Sequence, residues 1–173
     1  MIVNTSIPYN SHILKKNIDS LISNYPFLKQ RVIGYSVIGT PIYSLILGSG
    51  SKKVLYVAST HANEWITTPL LMKFIEDFSF SYSNNSNINS YNIQDIFNKV
   101  SLHVVPMLNP DGVDLVTSKL NTNNAYYMHA KAIADNYSTI PFPDGWKANI
   151  RGVDFKNYQL ILFIIQISSF IRL

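Results

Sequence analysis

The sequence of 173 residues contains no cysteine. This absence excludes a disulfide framework and any zinc site built on thiolates, and it leaves the redox compartment of the protein undetermined. Charged residues are also scarce, at 14% of the chain compared with about a quarter in average globular domains. Asparagine, serine, isoleucine and tyrosine are abundant instead, and we attribute this bias to genomic background rather than to function.

A strong charge of one sign is missing as well. The net charge is +4, and the only lysine doublets are at residues 15–16 and 52–53. The sequence shows neither a basic stripe nor the interleaved aromatic residues of a nucleic-acid platform. We therefore expect no nucleic-acid partner.

No apolar run is long enough to span a membrane. The only candidate, residues 160–173, is shorter than the roughly 20 residues that a spanning helix needs, and Gln166, Ser168 and Ser169 interrupt it. The first six residues lack a charged segment followed by an apolar stretch, so no secretory signal is expected. These observations predict a cytoplasmic protein without a membrane span.

The hydrophobic content of 47% is ample for one buried core, and the pattern along the chain alternates between strand-like and helical periods. Residues 53–58 read as a strand buried on both faces, residues 66–78 as a helix with one apolar stripe, and residues 79–91 as a polar loop. A helix over residues 14–25, a hairpin of residues 31–37 and 42–47, and a core strand over residues 100–108 complete the set. This order predicts an α/β domain of three layers around a mixed sheet, with residues 53–58 and 100–108 as central strands.

A histidine and a glutamate stand three positions apart directly after the strand of residues 53–58. Imidazole and carboxylate both suit zinc, and catalytic zinc takes three protein ligands and a water. His61 at the strand end is held rigidly, and the following turn lets Glu64 fold back onto the same ion. Alone, the H-x-x-E pattern is a weak signal, because a histidine at a strand end is more often satisfied by the backbone.

Two further motifs make the pattern specific. The sequence reads HANEW at residues 61–65, NPDG at 109–112 and WKANIRGVD at 146–154, in this order, and residues 25–39 match the entry into a first hairpin. Together they resemble the zinc carboxypeptidase family of metallopeptidases, and in particular its bacterial branch that cuts γ-D-glutamyl–diamino acid bonds in cell-wall peptides. The resemblance extends from about residue 25 to residue 154.

The resemblance implies a role for each matched residue. His61 and Glu64 bind Zn²⁺, Asp154 holds the other ring nitrogen of His61, and Arg151 binds substrate and stabilises the oxyanion that forms in the reaction. Asn157 is the candidate for the asparagine that grips substrate, although it comes one position late. All of these side chains are expected to converge in one cleft.

The match ends soon after Asp154. The family's third zinc ligand, a histidine, and its catalytic glutamate lie further along than this chain runs, so neither is assigned to a residue. We expect residues 1–157 to be a partial catalytic domain and residues 158–173 to be an apolar tail that matches nothing in the family and could serve as a makeshift strand. The predicted function is therefore a truncated zinc-dependent metallopeptidase acting on cell-wall peptides, with no activity on its own.

Alternative interpretations stay open. The chain could be a non-catalytic α/β remnant that binds peptides weakly, or an interaction protein that uses its apolar tail. His103 is interpreted as a core histidine rather than a ligand, and His12 and His129 as surface residues. The NPDG segment taken alone is simply a good turn.

Overall fold

The structure is a computed structural model, and it describes residues 1–155. The helices are α1 (Ser11–Asn24), α2 (Thr67–Ser83), α3 (Ile93–Lys99), α4 (Pro110–Val116) and α5 (Ala125–Ala134). The strands are β1 (Lys29–Tyr35), β2 (Pro41–Leu47), β3 (Lys52–Val57), β4 (Asn87–Ile88), β5 (Tyr91–Asn92) and β6 (Val100–Val105). A single 3₁₀ turn, Ala62–Glu64, lies between β3 and α2.

Asparagine starts most of the described helices. The side chains of Asn10, Asn92, Asn109 and Asn124 accept hydrogen bonds from backbone N–H groups in the first turns of α1, α3, α4 and α5. Asparagine is a preferred N-cap because its short side chain satisfies an N–H that has no partner within the helix. The asparagine-rich composition therefore has a local structural use in starting helices.

Four strands form one mixed sheet in the order β1-β2-β6-β3. The pairs β1–β2 and β2–β6 are antiparallel, whereas β3 lies parallel to β6 with Leu55 beside His103 and Val57 beside Val105. The two short strands β4 and β5 form a separate ribbon before α3. These elements confirm the predicted α/β fold with a mixed sheet.

The larger core lies on one face of this sheet. Side chains of β2 and β6, such as Leu45 and Val104, pack there against the apolar sides of α1, α2 and α3. A smaller cluster lies on the opposite face, and its members are Ile33, Ile42, Leu55, Val57, Val105 and Leu108. A third cluster joins α4, α5 and the segment around Trp146 at the end of the sheet.

Two sequence predictions need correction. The strand at residues 52–57 is not central in the described part of the chain: β6 is its only partner there, it lies at the sheet edge, and Tyr56 is 46% exposed. The predicted loop at residues 79–91 is also partly wrong, because α2 continues to Ser83 and places the Tyr82 ring 3.7 Å from that of Phe97. An apolar run does not reveal how many neighbours a strand will have, and stacking on α3 outweighs the polar residues in the last turn of α2.

Candidate metal site and its supporting loop

The chain turns sharply where β3 ends. Ser59 has a φ of 46°, a backbone conformation that is uncommon outside glycine. Its backbone N–H donates to Thr67 Oγ1 at 2.8 Å, and its hydroxyl lies 2.6 Å from Thr68 Oγ1. The start of α2 thus holds the strand end in this conformation, and the next residues lead directly into the 3₁₀ turn.

This turn brings His61 and Glu64 together. His61 Nδ1 and Glu64 Oε1 are 2.9 Å apart, and the side chains are 16% and 48% exposed. The two groups therefore share one edge of a site that is open to solvent on the glutamate side. Their pairing is the arrangement that the H-x-x-E spacing predicts.

Asp154 approaches the opposite edge of the same imidazole ring. Its Oδ1 atom is 3.3 Å from His61 Nε2. The two atoms are close enough for an ion pair. Among residues 1–155, however, Nε2 has no hydrogen-bond partner, so the distance or angle of this contact does not meet the requirements of a hydrogen bond. The Asp154 carboxylate thus faces the Nε2 edge of the ring, while Glu64 faces the Nδ1 edge.

Asn149 shapes the loop that carries Asp154. Its side-chain oxygen accepts hydrogen bonds from the backbone N–H groups of Arg151 at 2.9 Å and Val153 at 3.0 Å. Gly152 completes the turn with a φ of 81°, which an L side chain rarely adopts. The sequence analysis did not single out Asn149; an asparagine three residues before a glycine was the available signal for a tight turn.

Asn109 and Gly112 connect this loop to the turn that holds His61. Asn109 Nδ2 donates to the Ala148 carbonyl at 3.0 Å, while its oxygen caps α4 by accepting the Gly112 N–H at 3.2 Å. A Cβ atom on Gly112 would stand 2.8 Å from the Ala62 Cβ, so only glycine lets α4 approach the 3₁₀ turn this closely. The Ala62 N–H in turn donates to the Lys147 carbonyl at 3.0 Å.

The NPDG segment is therefore more than a turn. It begins α4, with Asn109 as the cap and Pro110 in the first turn, where a missing N–H costs nothing. Asp111 is buried, and its carboxylate contacts the turn between β1 and β2. It accepts hydrogen bonds from Ser36 Oγ at 2.6 Å and from the Ile38 N–H at 3.0 Å. A capped turn and a capped helix start look alike in sequence, which is why the pattern alone suggested only a turn.

Arg151 lies on the loop that also carries Asp154. Its residue is exposed and lines a cavity of about 390 Å³ together with Tyr35, Asp111 and Phe155. In the part of the chain that the structure describes, no hydrogen bond or ion pair joins its guanidinium to His61 or Glu64. Asn157, the other predicted substrate-binding residue, lies outside the described residues.

The remaining histidines occupy the environments predicted for them. His103 is buried in β6, and its pKa is lowered by desolvation first and by the positive charges of Lys53 and Arg31 second. His12 in α1 and His129 in α5 are exposed. None of the three lies near His61 in the described contacts, so they do not extend the site.

The donor set fits zinc but is small. Within residues 1–155 no group of three or more His, Cys, Asp or Glu side chains is close enough to hold a metal ion. Two donors at about 2.1 Å from a tetrahedral ion are about 3.4 Å apart, so the His61–Glu64 pair must open by about half an ångström to share one. An imidazole nitrogen backed by a carboxylate on its other side is also how proteins orient zinc histidines.

Comparison with known proteins decides the family. A family model described as zinc carboxypeptidase matches residues 14–158, which is most of the chain. The chain belongs to the zinc carboxypeptidase family. Members of this family are zinc-dependent peptidases, and the motifs at His61, Asn109 and Arg151 all lie within the matched region.

Individual relatives agree with this assignment. The chain is 41% identical over 156 residues to a gamma-D-glutamyl-L-diamino acid endopeptidase of Lysinibacillus sphaericus, covering 90% of this chain and 39% of the relative. It is 27% identical over 139 residues to mouse carboxypeptidase M, covering 75% of this chain and 29% of the relative. The chain thus spans well under half of the length of these relatives.

Solved structures show the same fold. The metallo-carboxypeptidase from Burkholderia cenocepacia superposes with a TM-score of 0.64 at 16% identity, covering 95% of this chain and 38% of that one. The Pseudomonas aeruginosa metallo-carboxypeptidase gives the same TM-score at 17% identity, over 94% and 37% of the two chains.

No described helix is both long and apolar enough to cross a membrane.

Proposed function

We propose that this chain carries the His-x-x-Glu part of a zinc peptidase site that acts on cell-wall peptides. The observation that supports the proposal most strongly is the orientation of the His61 ring. Its Nδ1 atom faces Glu64 Oε1 at 2.9 Å while its Nε2 atom faces Asp154 at 3.3 Å. A single imidazole placed between two carboxylates in this way has one nitrogen for a metal and one for a carboxylate that orients the ring.

In this proposal His61 and Glu64 hold the ion, and Asp154 positions His61. Zinc held by these two side chains would polarise a peptide carbonyl and lower the pKa of a water, which is the chemistry that peptide hydrolysis requires. Asp154 would accept a hydrogen bond from Nε2–H of His61, which keeps the proton on Nε2 and leaves the Nδ1 lone pair free to point toward the site. Because the described residues offer two donors rather than three, we expect the intact 173-residue chain to bind zinc weakly.

Arg151 and Asn157 are proposed as substrate-binding residues. The exposed guanidinium of Arg151 can bind a carboxylate in two-pronged fashion, and it lines the cavity beside the end of the first hairpin. We propose a peptide with a γ-D-glutamyl–diamino acid bond as the substrate class, since the chain is 41% identical to an endopeptidase named for that bond. The role of Asn157 stays a prediction from the family motif.

Zinc titration tests the metal part of this proposal. The intact chain should bind one zinc ion in calorimetry, and His61→Ala and Glu64→Gln should each weaken binding by more than the roughly 10–100-fold that loss of a carboxylate behind a ligand costs. His129→Ala is the matched control, because His129 is an exposed histidine on α5 and its loss should change nothing. Unchanged affinity in His61→Ala would contradict the assignment of the ligands.

Hydrolysis and binding assays test the substrate part. With zinc and a γ-D-glutamyl–diaminopimelyl peptide, we expect turnover far below that of an ordinary zinc peptidase, because no described residue matches the general base, which is worth about 10²–10⁴-fold in rate. Peptide binding should weaken in Arg151→Ala. Rapid turnover that His61→Ala abolishes would show that further groups complete the site, and peptide binding independent of Arg151 would remove that residue from it.

A further inference from the structure

One hydroxyl group connects the two ends of the turn that carries His61 and Glu64. Thr67, the first residue of α2, accepts a hydrogen bond from the Ser59 N–H at 2.8 Å through its Oγ1 atom. The same hydroxyl donates to the Glu64 carbonyl at 2.8 Å. Ser59 lies before the turn and Glu64 closes it, so Thr67 joins the residues on either side of His61.

The second of these bonds sets Thr67 apart from an ordinary threonine at a helix start. Threonine side chains near helix ends commonly bond to a backbone carbonyl three or four residues earlier, as Thr67 does with Glu64. Here the oxygen also accepts an N–H from a residue eight positions earlier, at the end of the strand. A hydroxyl can donate once and accept at the same time, whereas a methyl group can do neither.

The strand end depends on such support. Ser59 is 2% exposed and has a φ of 46°, a conformation that persists in a non-glycine residue only when surrounding contacts determine it. The bond to Thr67 is one of those contacts. If it were lost, Ser59 could relax toward a commoner conformation, and His61 two positions later would move with it.

The glutamate also needs its backbone fixed. The Glu64 side chain is 48% exposed, so close packing does not surround it. Functional groups that act together must be held within about 0.5 Å of their working geometry. Fixing the Glu64 carbonyl limits where the carboxylate can go, and it does so from the side of the turn that faces α2.

We propose that Thr67 is a positioning residue, whose hydroxyl sets the separation of His61 and Glu64 before a metal ion binds. The proposal rests on the proposed function in one respect, namely that these two side chains are metal ligands. Thr67 itself contacts neither the ion nor the substrate in this account. It acts through the Ser59 N–H and the Glu64 carbonyl.

Zinc titration of three variants tests the role. Thr67→Val keeps the shape and removes the hydroxyl, and we expect zinc binding to weaken by about tenfold, the lower end of the loss when a group behind a ligand is removed. Thr67→Ser keeps the hydroxyl and should restore the affinity. Thr68→Val is the matched control, because the fully buried Thr68 hydroxyl donates to the Pro106 carbonyl at 2.5 Å and not to Glu64.

The control separates positioning from stability. Thr68→Val should lower the free energy of unfolding at least as much as Thr67→Val, because it leaves a buried carbonyl without its partner, yet it should retain more zinc affinity. Urea unfolding and calorimetry measure the two quantities on the same samples. Equal zinc loss in both variants, or no rescue by Thr67→Ser, would overturn the proposal.

Amide hydrogen exchange without zinc gives a readout that does not depend on the metal. The N–H groups of Ser59 and Glu64, the latter donating to the His61 carbonyl at 3.3 Å, should exchange about threefold or more faster in Thr67→Val. Faster exchange at Ser59 alone would overturn the proposal, because the hydroxyl would then support only the strand end. If the unaltered chain binds no zinc, the proposed function fails, while the exchange rates still decide the role of Thr67.

Discussion

The two parts of the candidate site are built in different ways. His61 and Glu64 are three residues apart on one 3₁₀ turn, and the strand end and α2 position both of them. Asp154 comes from 93 positions beyond His61, on a loop that depends on Asn149 and Asn109 for its shape. The pair proposed to bind the metal is therefore local. The carboxylate proposed to orient His61 depends instead on long-range contacts that a single substitution can remove.

Asn109→Ala should cause the largest loss of stability, because it disturbs the support of the loop that carries Asp154. Asn109 is 2% exposed and makes two connections, to α4 and to the loop. Loss of the cap costs about 0.5–2 kcal/mol, and an unpaired Ala148 carbonyl adds about 1–3 kcal/mol. We expect urea unfolding to show a loss of about 2–4 kcal/mol. Asn124→Ala, which removes only a cap, should cost about 1 kcal/mol, and equal losses would show that the link to Ala148 contributes nothing.

Gly112→Ala should cause the next largest loss of stability. A methyl group there would stand 2.8 Å from the Ala62 Cβ and 2.7 Å from Asn109 Nδ2. Overpacking of this kind costs about 1–3 kcal/mol, even though alanine is the better helix former. The measurement is thermal or urea unfolding together with zinc affinity. A stabilised variant would mean that α4 and the 3₁₀ turn are not in tight contact.

Asp154→Asn should separate the orienting role from the ligand role. Outer carboxylates of zinc histidines typically contribute 10–100-fold to metal affinity, so we expect zinc binding to weaken by about that factor. Binding should not be abolished, because His61 and Glu64 remain. Calorimetric titration gives the measurement, and unchanged affinity would show that the 3.3 Å contact has no role in orienting His61.

Arg151→Ala should have the smallest effect on the metal site. Its side chain is exposed and lines the cavity together with Tyr35 and Phe155. We expect the stability to change by less than about 0.5 kcal/mol, as is usual for surface substitutions. Zinc affinity should stay the same. A marked loss of zinc binding would show that Arg151 acts on the metal site and not only on substrate, as the family motif implies.

The sequence predicted the local features better than the distant ones. The helix after Glu64, the first hairpin and the strand of residues 100–105 follow from periodicity, because each element's own side chains determine its pattern. The edge position of β3 within residues 1–155 did not follow, because its apolar residues are the same whether one or two strands lie beside it. The roles of Asn149 and Gly112 were also missed, since each depends on a segment that only folding brings near.

In the candidate site, too, the local feature was predicted better from the sequence than the distant ones. The spacing of His61 and Glu64 predicted their pairing from chemistry alone, whereas the approach of Asp154 was expected only from the family motif. Arg151 was also expected in that cleft only from the family motif; it lines the cavity beside Tyr35 and Phe155, and its place in a shared cleft stays a prediction. A motif in a loop specifies its residue types but not the direction of each side chain.

The most direct test of the account is nitrogen NMR of the histidine side chains with and without zinc. The chain has four histidines, so the imidazole signals can be assigned one by one. We predict that zinc changes only His61, with the metal on Nδ1 and the proton retained on Nε2, while His12, His103 and His129 keep their spectra. Metal on Nε2, or a zinc response from another histidine in place of His61, would contradict the proposed site.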